Sequence, residues 1–255
     1  MTRPDRQRPF DAVPSIGSMD WTRIKAVLFD LDGVITPTAD VHMLAWREMF
    51  TGFLTSRGES RPYTDADYFD HIDGKPRYDG VRDFLASRGI SLPEGDPDDD
   101  PAAETVCGLG NRKNATFNEI IARDGVRAYP GSLALLADLE RQGVPAAVVS
   151  SSKNAVAVLR AAGLGERFGV IVDGRLAHNE GLSGKPAPDT YLRAAELLGI
   201  PRESCMVVED AVSGIQAGRA GGFAMVLGVD RGAGVDALTG AGADLVVSDL
   251  EDVRP

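Results

Sequence analysis

Six short apolar runs alternate with amphipathic stretches, and this alternation restricts the chain more than any other feature. The runs are Ala26 to Phe29, Pro145 to Val149, Gly169 to Val172, Cys205 to Val208, Phe223 to Leu227 and Asp244 to Val247. Short apolar runs bounded by turn residues read as buried strands. Helical patterns over Ser132 to Gln142, Ala155 to Ala162, Pro188 to Leu198 and Gly214 to Ala220 lie between them. Gly143, Gly163 and Gly199 stand where three of these helices should end. Strands alternating with helices of about ten residues indicate βαβ units. The expected fold is therefore α/β, with a doubly wound, Rossmann-like parallel sheet.

The stretch from about 40 to 126 breaks the alternation. Val41 to Leu54, Asp79 to Arg88 and Ala115 to Arg123 are amphipathic with helical spacing, and no convincing strand lies among them. An all-helical domain inserted after the first strand accounts for this, with crossings near Thr36 to Asp40 and Asp124 to Tyr129. The expected organisation is a disordered leader over 1–20, an α/β core from 21–38 and 127–255, and a helical cap over 39–126.

Hydrophobic residues make up 43% of the 255, enough for a well-buried core. No apolar stretch approaches the roughly 20 residues of a membrane span, and residues 1–20 lack a signal peptide's apolar segment. Cys107 and Cys205 are far apart and without metal-type spacing, which fits structural thiols in a reducing cytoplasm. A net charge of −11 argues against nucleic acid as a partner. Much of that acidity lies in Glu94 to Pro101; this run lacks the glycine placement and closing glutamate of a calcium loop and reads as a solvated surface loop.

Four polar clusters follow strands or turns of the sheet-forming part: Asp30-Leu31-Asp32-Gly33, Ser150 to Asn154, Gly184 to Asp189, and Glu209-Asp210. In a parallel sheet they meet at one edge, beyond the carboxyl ends of the strands, where ligands bind. Asp30 and Asp32, two residues apart, point the same way off a strand end. One can then attack as a nucleophile while the other moves protons. A hydroxyl and a lysine to hold phosphate oxygens, and acids suited to Mg²⁺, complete an inventory for phosphoryl transfer. Singly, Ser150 to Ser152 could cap a helix, Lys185 could be a surface lysine, and Glu209-Asp210 could favour a helix N-terminus. The four in this order are what carries the reading.

Through Asp30 and Asp32, Ser150, Lys185, and Glu209 with Asp210, the chain resembles the haloacid dehalogenase superfamily over about residues 23 to 253. The resemblance implies Asp30 as phosphoryl acceptor and Asp32 as general acid/base. It also implies Mg²⁺ held by Asp30, the backbone carbonyl of Asp32, and Asp210 with help from Glu209. The 120-residue gap from Asp30 to Ser150, against 35 from Ser150 to Lys185, places a helical insertion early, where this superfamily shapes substrate choice. The dehalogenase branch carries no acid at the place of Asp32, so C–halogen hydrolysis is disfavoured.

Asp30 to Thr36, Thr38-Ala39, His42 and Ala45-Trp46 are similar to the first segment of the β-phosphoglucomutase subgroup. There His42 would keep Asp32 in place. Gly74-Lys75-Pro76-Arg77 matches the subgroup's Gly-x-x-Arg turn, whose arginine binds the distal phosphate of a bisphosphate. Arg112-Lys113-Asn114 matches its Arg-Lys-Asn segment, which gives Lys113 a substrate contact. Ser152, Lys153 and Asn154 would help hold phosphate or sugar. Pro37 departs from the pattern, standing where better-known mutases carry an acid, and the stretch from Pro93 to Glu104 is extra length.

The expectation is a cytoplasmic, Mg²⁺-dependent enzyme acting on a small sugar phosphate, with neither nucleic acid nor membrane as partner. The expected reaction interconverts β-glucose 1-phosphate and glucose 6-phosphate through a phosphoaspartate, with glucose 1,6-bisphosphate as activating donor, and a monomer is expected. The alternatives are a sugar-phosphate phosphatase, in which water attacks the phosphoaspartate, and a non-catalytic phosphosugar-binding module.

Overall fold

A computed structural model describes residues 19–255. The leader expected over 1–20 lies, apart from Met19 and Asp20, outside the described residues. Six strands form one parallel sheet: β1 Ala26–Phe29, β2 Ala146–Val149, β3 Val170–Val172, β4 Cys205–Glu209, β5 Met225–Val229 and β6 Leu245–Val247. Their spatial order is β3-β2-β1-β4-β5-β6. All four residues of β1 and all five of β4 are buried, because helices cover both faces of a parallel sheet.

One face packs Val27, Phe29, Val148, Met206 and Val208 against helices α5 (Pro130–Gln142) and α6 (Ala155–Ala161), through Leu135, Leu139, Val158 and Leu159. The other packs Ala26, Leu28, Val149 and Val207 against α8 (Asp189–Leu198) and α9 (Val212–Gly221), through Tyr191, Ala194 and Ile215. Alternate residues of one strand thus serve opposite layers. Pro130 starts α5 at a position where no amide is needed, and Gly143 ends it in the left-handed conformation at φ 69°.

Between β1 and α5 the chain forms four helices: α1 Thr38–Ser56, α2 Asp65–His71, α3 Arg77–Ser87 and α4 Val106–Asp124. They gather their own apolar cluster, in which the Phe50 and Phe84 rings meet tilted at 3.9 Å between ring centres, with Trp46, Phe53, Leu85 and Leu109 around them. The outgoing and returning passes of this insertion are bonded to each other, Tyr129 N–H donating to the Ile35 carbonyl at 2.9 Å.

Three seven-residue helices add to those legible in the sequence: α2, α7 (Gly174–Glu180) and α10 (Val235–Ala241). The fifth strand runs two residues later than its apolar pattern indicates, taking in Gly228 and Val229. Among the described residues no helix is long and apolar enough to cross a membrane. Cys107 and Cys205 are both buried and unbridged.

Candidate active site

The strand order reverses about β1: the chain builds β2 and β3 to one side, then returns to lay β4 on the other. The crevice beyond the carboxyl ends of β1 and β4 is therefore a topological switch point, where such sheets bind ligands. Asp30 and Asp32 follow β1, Ser150 follows β2, and Glu209 ends β4 with Asp210 next to it. Lys185 reaches the same place from the turn before α8. A cavity of about 800 Å³ opens there, and every candidate site residue from the sequence lines it: Asp30, Asp32, His42, Arg77, Lys113, Ser150, Ser152, Lys153, Asn154, Lys185, Glu209 and Asp210.

Lys185, buried at 3% exposure, is the electrostatic centre of the crevice floor. Its ammonium donates to Asp30 Oδ1, to Glu209 Oε1 at 2.5 Å and to the Val149 carbonyl at 3.2 Å. Burial alone would pull this lysine down, but Asp30 and Glu209 outweigh it and hold it above its ordinary value. Both oxygens of Glu209 are already engaged. Oε1 also accepts from the Tyr191 hydroxyl at 3.0 Å, and Oε2 accepts from the amides of Asp210 and Ala211, each at 3.0 Å. That arrangement suits it to orient Lys185 and the backbone that carries Asp210.

Asp30 and Asp210 are both held well above the ordinary carboxylate range. For Asp30 the causes are burial first, then Glu209 and Asp32 against the pull of Lys185. For Asp210 they are burial, then the negative charges of Asp73, Glu209 and Asp30. Asp73, which precedes Gly74 in the insertion, is pushed up to about 6 by burial, with Glu209 adding to it. Sequence reasoning passed over Asp73; its one signal is that it adjoins the Gly74-to-Arg77 motif. So many buried acids around one ammonium is a surplus of negative charge that a cation would relieve.

The donor set fits Mg²⁺. Among the described residues no three His, Cys, Asp or Glu side chains are arranged to hold a metal by themselves. Mg²⁺ does not require such a cage, since one or two carboxylates, with backbone, phosphate and water oxygens, satisfy it. Gly33, at φ 86°, makes room for this: a Cβ there would stand 1.8 Å from Asp210 Oδ2.

Asp32 lies among donors. Thr38 Oγ1 donates to its Oδ1, Ser150 Oγ to Oδ2 at 3.4 Å, and His42 Nε2 stands 3.4 Å from Oδ1. Burial raises Asp32, but His42 and Thr38 bring it down to about 2. His42 stacks on Phe117 at 4.1 Å, and its Nδ1 meets the Lys113 ammonium. A protonated Lys113 can only donate, which would make Nδ1 the acceptor and leave the ring proton on Nε2, an atom 3.4 Å from Asp32 Oδ1 that makes no hydrogen bond. Burial first, then Lys113, lowers His42; burial and Arg77 hold Lys113 well below its usual value.

The far wall of the cavity is cationic. Arg77 Nη1 donates to Asn111 Oδ1 at 3.3 Å and Nη2 to Asn114 Oδ1 at 2.7 Å. Asn154 Nδ2 donates to that same Asn114 oxygen at 2.7 Å, so one carboxamide joins the insertion to the β2 loop. Among the described residues no carboxylate lies within ion-pair distance of Arg77. Two hydroxyls of the sheet layer hold the turn leading to it: Ser151 donates to the Gly74 carbonyl at 2.8 Å and Ser213 to the Asp73 carbonyl at 2.9 Å. Asn111, Ser151 and Ser213 were not legible as site residues, because nothing in their local sequence marks contacts made across the fold.

Comparison with known proteins agrees with this architecture. A sequence profile described as haloacid dehalogenase-like hydrolase matches residues 24–222. The chain is 47% identical over 240 residues to a β-phosphoglucomutase of Mycobacterium bovis, covering 91% of this chain and 92% of that protein. It is 31% identical over 233 residues to hexitol phosphatase A of Escherichia coli, covering 91% and 94%. The crystal structure of a β-phosphoglucomutase from Clostridium difficile superposes with a TM-score of 0.73 at 26% identity, covering 91% and 93%.

Proposed function

Because the chain belongs to the haloacid dehalogenase-like hydrolase family, in its β-phosphoglucomutase-like branch, we propose that it is a Mg²⁺-dependent mutase interconverting β-glucose 1-phosphate and glucose 6-phosphate. The observation that carries this reading is Arg77: a half-buried guanidinium whose hydrogen-bond partners are carboxamides, in the same cavity as Asp30. A hydrolase acting on one phosphate needs a single anion site. A bisphosphate that must turn around needs a second, and a guanidinium can grip it in two-pronged fashion.

Asp30 carries the phosphoryl group. In the first half-reaction the sugar's 6-hydroxyl attacks phospho-Asp30; the new O–P bond forms as the carboxylate–P bond breaks, and Asp32 takes the hydroxyl proton. An Asp32 held near 2 is ionised and ready for that proton. The bisphosphate reverses, Asp30 accepts the phosphoryl group from the 1-position, and Asp32 returns its proton to the departing oxygen. Asp30, the Asp32 carbonyl and Asp210 would hold Mg²⁺, which when bound offsets the charge between an anionic nucleophile and an anionic phosphate. Lys185 and Ser150 stabilise the transferring oxygens. Arg77, Ser152, Lys153 and Asn154 bind the remote phosphate, and His42 with Lys113 orients Asp32. The helical insertion acts as the cap over 39–126 that admits the sugar and excludes water.

Incubation with β-glucose 1-phosphate, catalytic glucose 1,6-bisphosphate and Mg²⁺ tests this. Glucose 6-phosphate should accumulate with little inorganic phosphate, and Asp30→Asn should abolish turnover. Stoichiometric phosphate release would make the protein a sugar-phosphate phosphatase. Binding with neither product would make it a phosphosugar-binding module.

A further inference from the structure

The acidic stretch from Pro93 to Glu104 plays no part in the chemistry above, yet it is stitched into the insertion. The carbonyls of Pro93 and Glu94 accept from Val106 and Cys107 N–H at the start of α4, each at 3.0 Å. Arg82 of α3 forks the Glu94 carboxylate at 2.9–3.2 Å. Gly108 lets α4 approach so closely that a Cβ there would stand 2.3 Å from the Ala103 carbonyl. Of the stretch, Pro97 alone lines the cavity.

What the segment presents to α4 is backbone. Asn111 Nδ2 donates to the Pro97 carbonyl at 3.0 Å and the Asp99 carbonyl at 2.9 Å. With both amide protons so engaged, the carboxamide has one orientation, its oxygen turned to Arg77 Nη1 at 3.3 Å and the Tyr78 hydroxyl at 2.9 Å. The reversed amide would set its oxygen against two carbonyls and its NH₂ against the guanidinium. Tyr78 itself lies on Gly110, where a Cβ would be 2.7 Å from the ring, and the Arg77 guanidinium sits 5.8 Å from its ring centre.

We infer that the 93–104 segment is the buttress of the remote-phosphate arm, and that Asn111, a neutral acceptor for Arg77, and Tyr78, which donates to Asn111, are the residues that position Arg77. The chemistry of that acceptor matters: a carboxylate in its place would pair with the guanidinium and cancel the charge a phosphate needs. The inference rests on the mutase reading, which supplies the second phosphate.

Full-length Asn111→Asp preserves shape but puts a charge beside Arg77. Its half-saturating concentration of glucose 1,6-bisphosphate should rise about tenfold or more, with kcat at saturation within about twofold, while Tm falls by a few degrees because the carboxylate cannot donate to the Pro97 and Asp99 carbonyls. Hydrolysis of acetyl phosphate, which has no second phosphate, should stay within about twofold. Unchanged half-saturation, or an equal loss in both reactions, overturns the buttress. If Asn111→Asp is misfolded, Tyr78→Phe removes a single phenolic bond, and a rise of about threefold in half-saturation is expected; no rise overturns the inference. If the wild type shows no mutase turnover, the mutase reading fails by itself. Calorimetric titration with the bisphosphate then decides the buttress, equal affinity of wild type and Asn111→Asp refuting it.

Discussion

The protonation of Asp30, Asp73 and Asp210 ties this protein's stability to pH and to cations. Each is raised above the ordinary 3.8, Asp73 to about 6. On these shifts the folded chain holds protons that the unfolded chain has released, so the contribution of these three carboxyls to stability falls as pH rises from about 4, against the opposite contribution of the lowered His42 and Lys113. On the proposed Mg²⁺ site a divalent cation would replace those protons, so its stabilising effect should grow with pH. At about a hundredfold excess over its dissociation constant, Mg²⁺ should raise Tm on the order of 5–10 °C at about pH 7.5, and by less at about pH 5.5. Equal shifts at the two pH values, measured by differential scanning calorimetry, would remove these carboxylates as the cation's seat. Asp30 and Asp210 were legible in the sequence because Asp30 directly follows an apolar run and Asp210 belongs to the Glu209-Asp210 pair that follows another. Asp73 was not, because its neighbours are acids more than 100 positions away, and only the packing of the insertion makes it one of them.

At the level of elements, the junction of β4 and α9 fixes the crevice floor by a close approach. Gly214 crosses directly over Glu209, and a Cβ at that glycine would lie 1.7 Å from Oε1. Helix propensity alone would favour Gly214→Ala by about 1 kcal/mol. The collision should reverse that sign, lowering Tm, and by displacing Glu209 it should release Lys185 and cut kcat by about a hundredfold. A variant with raised Tm and intact turnover would show that the approach is not constraining. Most elements were readable for a related reason: β1, β2 and β4 are buried on both faces, so their apolar runs are continuous and end abruptly. The helices α2, α7 and α10 escaped notice because they bury almost nothing; α2 buries only Tyr68, α10 only Leu238 and α7 no residue. Without a buried face there is no apolar period to read. The capping box of Thr64 and Asp67 was the one local mark of α2.

For the molecule as a whole, the insertion and the sheet layer share the cavity, and few polar contacts join them across it. The turn before Arg77 docks through the carbonyls of Asp73 and Gly74, held by Ser213 and Ser151, while Asn114 bonds Asn154 beside them. Gly74 is at φ 70°, and a Cβ there would stand 2.1 Å from Ser213 Oγ and 3.1 Å from Ala211 Cβ. Any side chain at 74 is therefore both strained and obstructed. The β1 exit and the α5 entry are bonded through Ile35 and Tyr129, and Ala45 and Phe117 of the insertion pack into the sheet layer's apolar cluster, so a turning of the insertion would be about this side. Loss of the docking bonds should shift the population toward a separated arrangement while leaving each layer's own core intact. In small-angle X-ray scattering, Gly74→Ala should show a larger radius of gyration than wild type, and Ser151→Ala with Ser213→Ala a smaller increase. Saturating Mg²⁺ and bisphosphate should recover the compact value for the double serine variant, since the ligand bridges both sides, but not for Gly74→Ala. Identical scattering from wild type and Gly74→Ala would mean that this turn does not govern how the two layers meet.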